Sequence, residues 1–177
     1  MALQGFQIYK NLAWLNELPP GKAESVFRDC CGSSEWARYM AAERPFAMLE
    51  NLYNYAERIW WSLTPADHLE AFGAHPKIGS NQVGGEPSNN SAQWSAGEQS
   101  GVESAAASVL DQLAEANRLY EEKFGFIFIV CATGKSADEM LAIAKARLGN
   151  SRQTEMRIAA DEQRKITVIR LNKLLER

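Results

Sequence analysis

Histidine and cysteine are scarce in this chain, two of the first and three of the second among 177 residues. With two imidazoles and no Cys-x-x-Cys or His-x-x-x-His spacing, a dedicated transition-metal site is not expected. An odd cysteine count, with Cys30 and Cys31 adjacent, excludes a disulfide framework. Together with the lack of a secretory signal, this points to a reducing compartment, the cytoplasm. No apolar stretch approaches the roughly 18 residues of a membrane span, so a membrane partner is not expected. A dominant charge sign is also missing: 19 Lys and Arg stand against 22 Asp and Glu, and the basic residues are scattered. That pattern argues against a nucleic-acid surface and leaves a small molecule as the default partner.

What the chain does have is helical periodicity. Ile8, Leu12 and Leu15 mark an opening turn or two of helix over residues 7–17 that ends at Leu18-Pro19-Pro20-Gly21, and from Pro20 the spacing of Ala23, Val26, Phe27, Cys30 and Cys31 forms a second buried stripe that Gly32 ends. Ser33 or Ser34 caps a helix over residues 35–42, and a long amphipathic helix is expected from Pro45 through Trp60. Thr64 and Pro65 form an N-cap and first-turn pair for the next helix, on which His68 reads as a solvated or core-edge residue. Residues 80–92 are turn formers almost throughout and predict a surface loop, a candidate lid. Helices are expected from Ser91 or Ser95 to Ala107, over residues 108–124, over 137–148 behind the Ser136 cap, and over 151–176. The fold class is therefore all-α: a single domain, residues 1–177, built as a bundle of about eight or nine helices.

One segment departs from that pattern. Residues 126–132 are aromatic or β-branched at first and almost wholly apolar, bounded by Gly125 and Thr133-Gly134. A short extended segment with no strand partner must place its backbone N–H and C=O groups somewhere. A ligand with amide-like edges, a helix end or a dimer partner would each serve.

Two stretches carry candidate chemistry. The run from Pro65 delivers His75 and Pro76 into a loop bounded by glycine, and imidazole alone titrates near neutrality without perturbation. Ser95, Glu98 and Gln99 then bring a hydroxyl, a carboxyl and an amide together at the expected start of a helix, where Ser-x-x-Glu also spells a capping box. Lys77 and the N–H groups of Ile78 and Gly79 offer attraction for a carboxylate. Cys131, set among apolar neighbours, is expected to be inert as a nucleophile.

Several stretches together resemble the 2-oxo-4-hydroxy-4-carboxy-5-ureidoimidazoline (OHCU) decarboxylases of urate breakdown. They are Cys-Gly-Ser-Ser-Glu-Trp-Ala at 31–37, Ala-His-Pro-Lys-Ile-Gly at 74–79, Ser-Ala-Gly-Glu-Gln-Ser-Gly at 95–101, Tyr-Glu-Glu-Lys-Phe-Gly-Phe-Ile-Phe-Ile-Val-Cys-Ala at 120–132, Arg-Leu-Gly-Asn at 147–150, and Glu-Gln-Arg-Lys-Ile at 162–166 with Arg170 and Leu171. The resemblance implies an all-helical homodimer that decarboxylates OHCU to (S)-allantoin without a cofactor. It implies His75 and Glu98 as catalytic residues, and Pro76, Ser95, Gln99, Phe128, Ile129, Val130, Cys131 and Ala132 as substrate contacts. Two departures stand out: the loop between His75 and Ser95 is longer than in animal members, and Ile127 stands where many members have proline. The competing reading is a helical module that binds a ureide or purine without turnover.

Overall fold

The computed structural model describes residues 2–78, 89–102 and 105–176. Among them are nine α-helices and one short 3-10 helix, with no β-strand. The helices are α1 (Ala2–Glu17), α2 (Pro20–Cys31), α3 (Ser34–Ala42), α4 (Leu49–Ser62), α5 (Pro65–Gly73), α6 (Asn89–Glu98), α7 (Ala107–Phe124), α8 (Ala137–Arg147) and α9 (Arg152–Leu175), with the 3-10 turn at Ser100–Val102. The fold is all-α, as the periodicity predicts. The chain divides into two units, one holding residues 1–70 with 164–177 and the other residues 71–163. None of the described helices is long and apolar enough to cross a membrane.

The first unit is organised by its aromatic core. Gly32 adopts φ 81°, the left-handed conformation that glycine takes without a Cβ penalty, and its N–H closes α2 on the Arg28 carbonyl. Ser33 then caps α3 by accepting from the Trp36 N–H. Trp36 is fully buried, donates its indole N–H to the Ala56 carbonyl at 3.0 Å, and meets Phe27 edge to face. His68 belongs to this core: its Nε2 donates to the Trp60 carbonyl at 3.0 Å and its ring lies 4.2 Å from that indole.

The expected helix from Pro45 begins four residues later, at Leu49. Local tertiary bonds hold the entry extended. Asn16 exchanges two hydrogen bonds with the Phe46 backbone, both at 2.9 Å, and buries the Phe46 ring. The Met48 N–H then donates to the Asn51 side chain, capping the helix behind that anchor. Arg44 completes the corner by donating to the carbonyls of Leu15, Asn16 and Leu18 at the end of α1.

In the second unit a cluster of rings, Phe72, Tyr120, Phe124, Phe126 and Phe128, fixes α5's last turn and the extended segment against α7. Gly125 at φ 75° ends α7 and turns the chain into that segment. Ser136 and Glu139 form the reciprocal capping box that starts α8. The candidate lid at 80–92 lies outside the described residues through position 88, and its last residues are the first turn of α6.

Candidate active site

Every residue that the sequence marks as a site residue falls in the second unit. α5 ends at Gly73, and the N–H groups of Ala74 and His75 turn back onto the Ala71 and Phe72 carbonyls. This turn puts His75 half-buried just beyond the helix. The following loop is tied down on α7: the Ile78 carbonyl accepts from the Asn117 side chain at 3.0 Å, and Lys77 pairs with Glu121 at 2.6 Å. Lys77, read as a possible anchor for a substrate carboxylate, is thus engaged at an exposed ion pair; Gly79 lies outside the described residues.

Ser95 and Glu98 occupy the last turn of α6, not the first turn of a helix reaching Ala107. Their three-residue spacing puts both on one helical face, and both are buried. The capping-box reading fails because the helix already starts at Asn89, so the Ser95 carbonyl receives the Gln99 N–H at the C-terminal end. After Glu98 the chain tightens into the 3-10 turn, where Gly101 is required by contact: a Cβ there would lie 2.1 Å from the Lys135 carbonyl oxygen. That close approach carries Glu98 toward the end of the extended segment.

The extended segment, residues 126–132, is buried except at Ile127, which is half-buried. Four of its backbone groups have partners within the protein, the Ala132 carbonyl accepting from the Lys135 N–H at 2.9 Å among them. The Ile129 carbonyl accepts from Arg147 Nη1 at 2.8 Å, the Cys131 N–H donates to Glu162 at 2.7 Å, and the Cys131 carbonyl accepts from Lys135 Nζ at 2.7 Å. Arg147 is itself held by Glu155, at 2.6 Å from Nε and 2.5 Å from Nη2, and its guanidinium lies over the Phe128 ring. Glu155, fully buried, also accepts from Tyr120 and from Asn150, so the charge is saturated with donors. Burial above all, with Glu155 adding to it and Arg147 opposing it, holds the Tyr120 phenol well above its ordinary range.

Around Cys131 the charges of three elements meet. Burial raises its thiol most, Lys135 opposes the rise, and Glu162 and Glu98 add to it. The thiol is therefore held in its neutral form at ordinary pH, which suits a residue that offers backbone rather than a nucleophile.

α9 supplies two residues that the sequence reading gives no role. Glu162 takes the Cys131 N–H, and Gln163, fully buried beside it, lies 2.7 Å from Nε2 of His75. Consecutive positions on one helix thus touch the imidazole and the extended segment. The sequence signal was present only as the Glu-Gln pair at 162 and 163; nothing local tells that a glutamine 88 residues away meets His75.

Fold and site together define an all-helical protein with an imidazole, a buried carboxylate and a pinned extended segment gathered in one unit. The profile of the OHCU decarboxylase family matches residues 16–172, across both units. A uric acid degradation bifunctional protein of Arabidopsis thaliana is 46% identical over 155 residues, covering 85% of this chain and 47% of that protein. A 2-oxo-4-hydroxy-4-carboxy-5-ureidoimidazoline decarboxylase of Haloferax volcanii is 26% identical over 161 residues, 90% of this chain and 93% of that one. A crystal structure of an OHCU decarboxylase in the presence of (S)-allantoin superposes with a TM-score of 0.74 at 40% identity, covering 85% of this chain and 97% of the other. The chain belongs to the OHCU decarboxylase family. It spans about half the length of the bifunctional plant relative.

Proposed function

We propose that the chain decarboxylates OHCU to (S)-allantoin in urate breakdown, without a cofactor. In OHCU a carboxylate and a hydroxyl share a ring carbon beside a C=N bond. As carbon dioxide leaves, the bonding pair moves toward that C=N bond, whose nitrogen takes a proton. The hydroxyl then gives up its proton as it becomes a carbonyl, and a proton is delivered to the neighbouring carbon, so one proton is consumed in all. The substrate is its own electron sink, which is the work a carbanion-stabilising cofactor does elsewhere. What remains for the protein is orientation, hydrogen bonds that strengthen as charge moves, and proton delivery to one face.

In this reading His75 acts as the acid or base and Glu98 positions or shares the hydroxyl proton. Pro76 shapes the loop around the ring, Ser95 and Gln99 grip the ureido or ring amide edges, and residues 128–132 (Phe128, Ile129, Val130, Cys131, Ala132) form the wall the heterocycle lies against. The observation that carries the proposal is the pair on α9: Gln163 orders the imidazole at 2.7 Å while Glu162 orders Cys131 at 2.7 Å, so base and wall are fixed by adjacent residues. We further propose that residues 1–177 act as one domain, in keeping with a family match that runs across both units. A cytoplasmic homodimer is the working form proposed; the location draws support from three buried cysteines outside any disulfide, and the dimer rests on family resemblance.

The purified chain, mixed with OHCU generated from urate by urate oxidase and hydroxyisourate hydrolase, is expected to speed its decay well above the spontaneous rate. His75→Ala is expected to keep the wild-type far-ultraviolet dichroism and lose about 10²- to 10⁴-fold in kcat. Wild-type protein that leaves the decay at its spontaneous rate refutes the assignment. A folded, fully active His75→Ala protein refutes the role of that residue.

A further inference from the structure

Gln163 is fully buried, and its carbonyl oxygen lies 2.7 Å from Nε2 of His75. A carbonyl oxygen only accepts, so the proton of this hydrogen bond sits on Nε2. A neutral imidazole carries one N–H, and its lone pair is then on Nδ1. The neighbouring residue on α9, Glu162, is a carboxylate, and it is turned to the Cys131 N–H at 2.7 Å. At Nε2 the ring is therefore met by a neutral amide, and the Glu162 contact to Cys131 is made apart from that nitrogen. That distinction has chemical content: a carboxylate partner favours imidazolium and raises its pKa by about 1–3 units, whereas an amide fixes the tautomer without fixing the charge. Two other charged groups of this neighbourhood have partners of their own, Lys77 in Glu121 and Lys135 in the Cys131 carbonyl. Glu98 adds a carboxylate close enough to Cys131 to raise its thiol.

We propose that Gln163 is a positioning residue that holds His75 in its Nε2–H tautomer, so that Nδ1 is the atom that exchanges a proton with the substrate. The proposal rests on the decarboxylase reading for the meaning of that exchange, and on the geometry alone for the tautomer.

The experiment uses the full chain labelled with 15N-histidine, together with Gln163→Glu and Gln163→Met. In the wild type, 15N chemical shifts recorded above the pH at which the ring titrates are expected to show the His75 proton on Nε2. Gln163→Met removes the acceptor at similar volume. It is expected to give mixed tautomers and a kcat lower by on the order of 10- to 100-fold, with KM for OHCU little changed. Gln163→Glu keeps an acceptor, restores most of that turnover, and is expected to move both the His75 titration and the limb of the kcat–pH profile that it governs upward by about 1–2 pH units. Should Gln163→Met not fold, the glutamate variant and the wild-type spectrum decide. A wild-type Nδ1–H tautomer overturns the proposal. So does a Gln163→Met protein with unaltered tautomer and kcat, or a glutamate variant whose titration and pH profile stay in place. If the wild type fails to turn over OHCU, the decarboxylase reading falls, and with it the substrate as Nδ1's proton partner, while the spectra still decide the tautomer separately.

Discussion

Cys31 is nearly sealed from water, and burial pushes its thiol up to about 12, against smaller opposing pulls from the Ser33 backbone, Thr167 and Arg170. The unfolded chain gives up that proton near 9, the thiol's ordinary value, while the folded chain keeps it. Between those values the folded state binds more protons, so stability falls as pH rises, by roughly 1 kcal/mol for each pH unit. The Tyr120 phenol, also raised, adds to the loss at higher pH. Denaturant titrations from pH 8 to 11 are expected to show a falling midpoint, with a flatter fall in Cys31→Ala; equal slopes in the two proteins would remove this cause. The same burial explains why the adjacent cysteines fit the apolar stripe of α2 from spacing alone, while the burial of Gln163 was not written in its neighbours. An apolar residue announces itself by period, but a buried amide is defined by what folds against it.

The extended segment shows the same contrast between local and distant causes. Its apolar, β-branched composition predicts that it leaves the helical pattern, and residues 126–132 do so. Its backbone partners were not legible, since Arg147, Glu162 and Lys135 reach it from α8, α9 and the turn between the segment and α8. Arg147 both donates to the Ile129 carbonyl and neutralises Glu155, so Arg147→Met leaves a buried carboxylate uncompensated. Urea unfolding is expected to show a loss of about 3–5 kcal/mol, with turnover lowered because the wall of the proposed site loosens; a loss below about 1 kcal/mol would show that the pair does not hold this element. Helix limits follow the same rule. Thr64 with Asp67 and Ser136 with Glu139 are reciprocal caps written within four residues, and α5 and α8 start where they predict. Ser95 with Glu98 has the same spelling in a helix begun six residues earlier, and α4 waits for an anchor supplied by Asn16. Local grammar locates a helix start only where no distant contact has already set it.

For the molecule as a whole, the all-α class was legible because apolar stripes recur through the chain, and the candidate site was legible as two short stretches, at 75–76 and 95–99. The layer behind them was not, because Arg147, Glu155, Glu162 and Gln163 act on residues from 5 to 88 positions away. The proposed substrate accepts the electrons of decarboxylation in its own ring, which in this reading leaves the protein a question of geometry: which face of a planar intermediate receives the proton. In free solution both faces are equal and the allantoin is racemic. The most direct measurement is therefore the circular dichroism of allantoin formed as the purified chain consumes OHCU made in situ, read before spontaneous racemisation. The account predicts (S)-allantoin in excess from the first turnovers; a product without optical activity would contradict it.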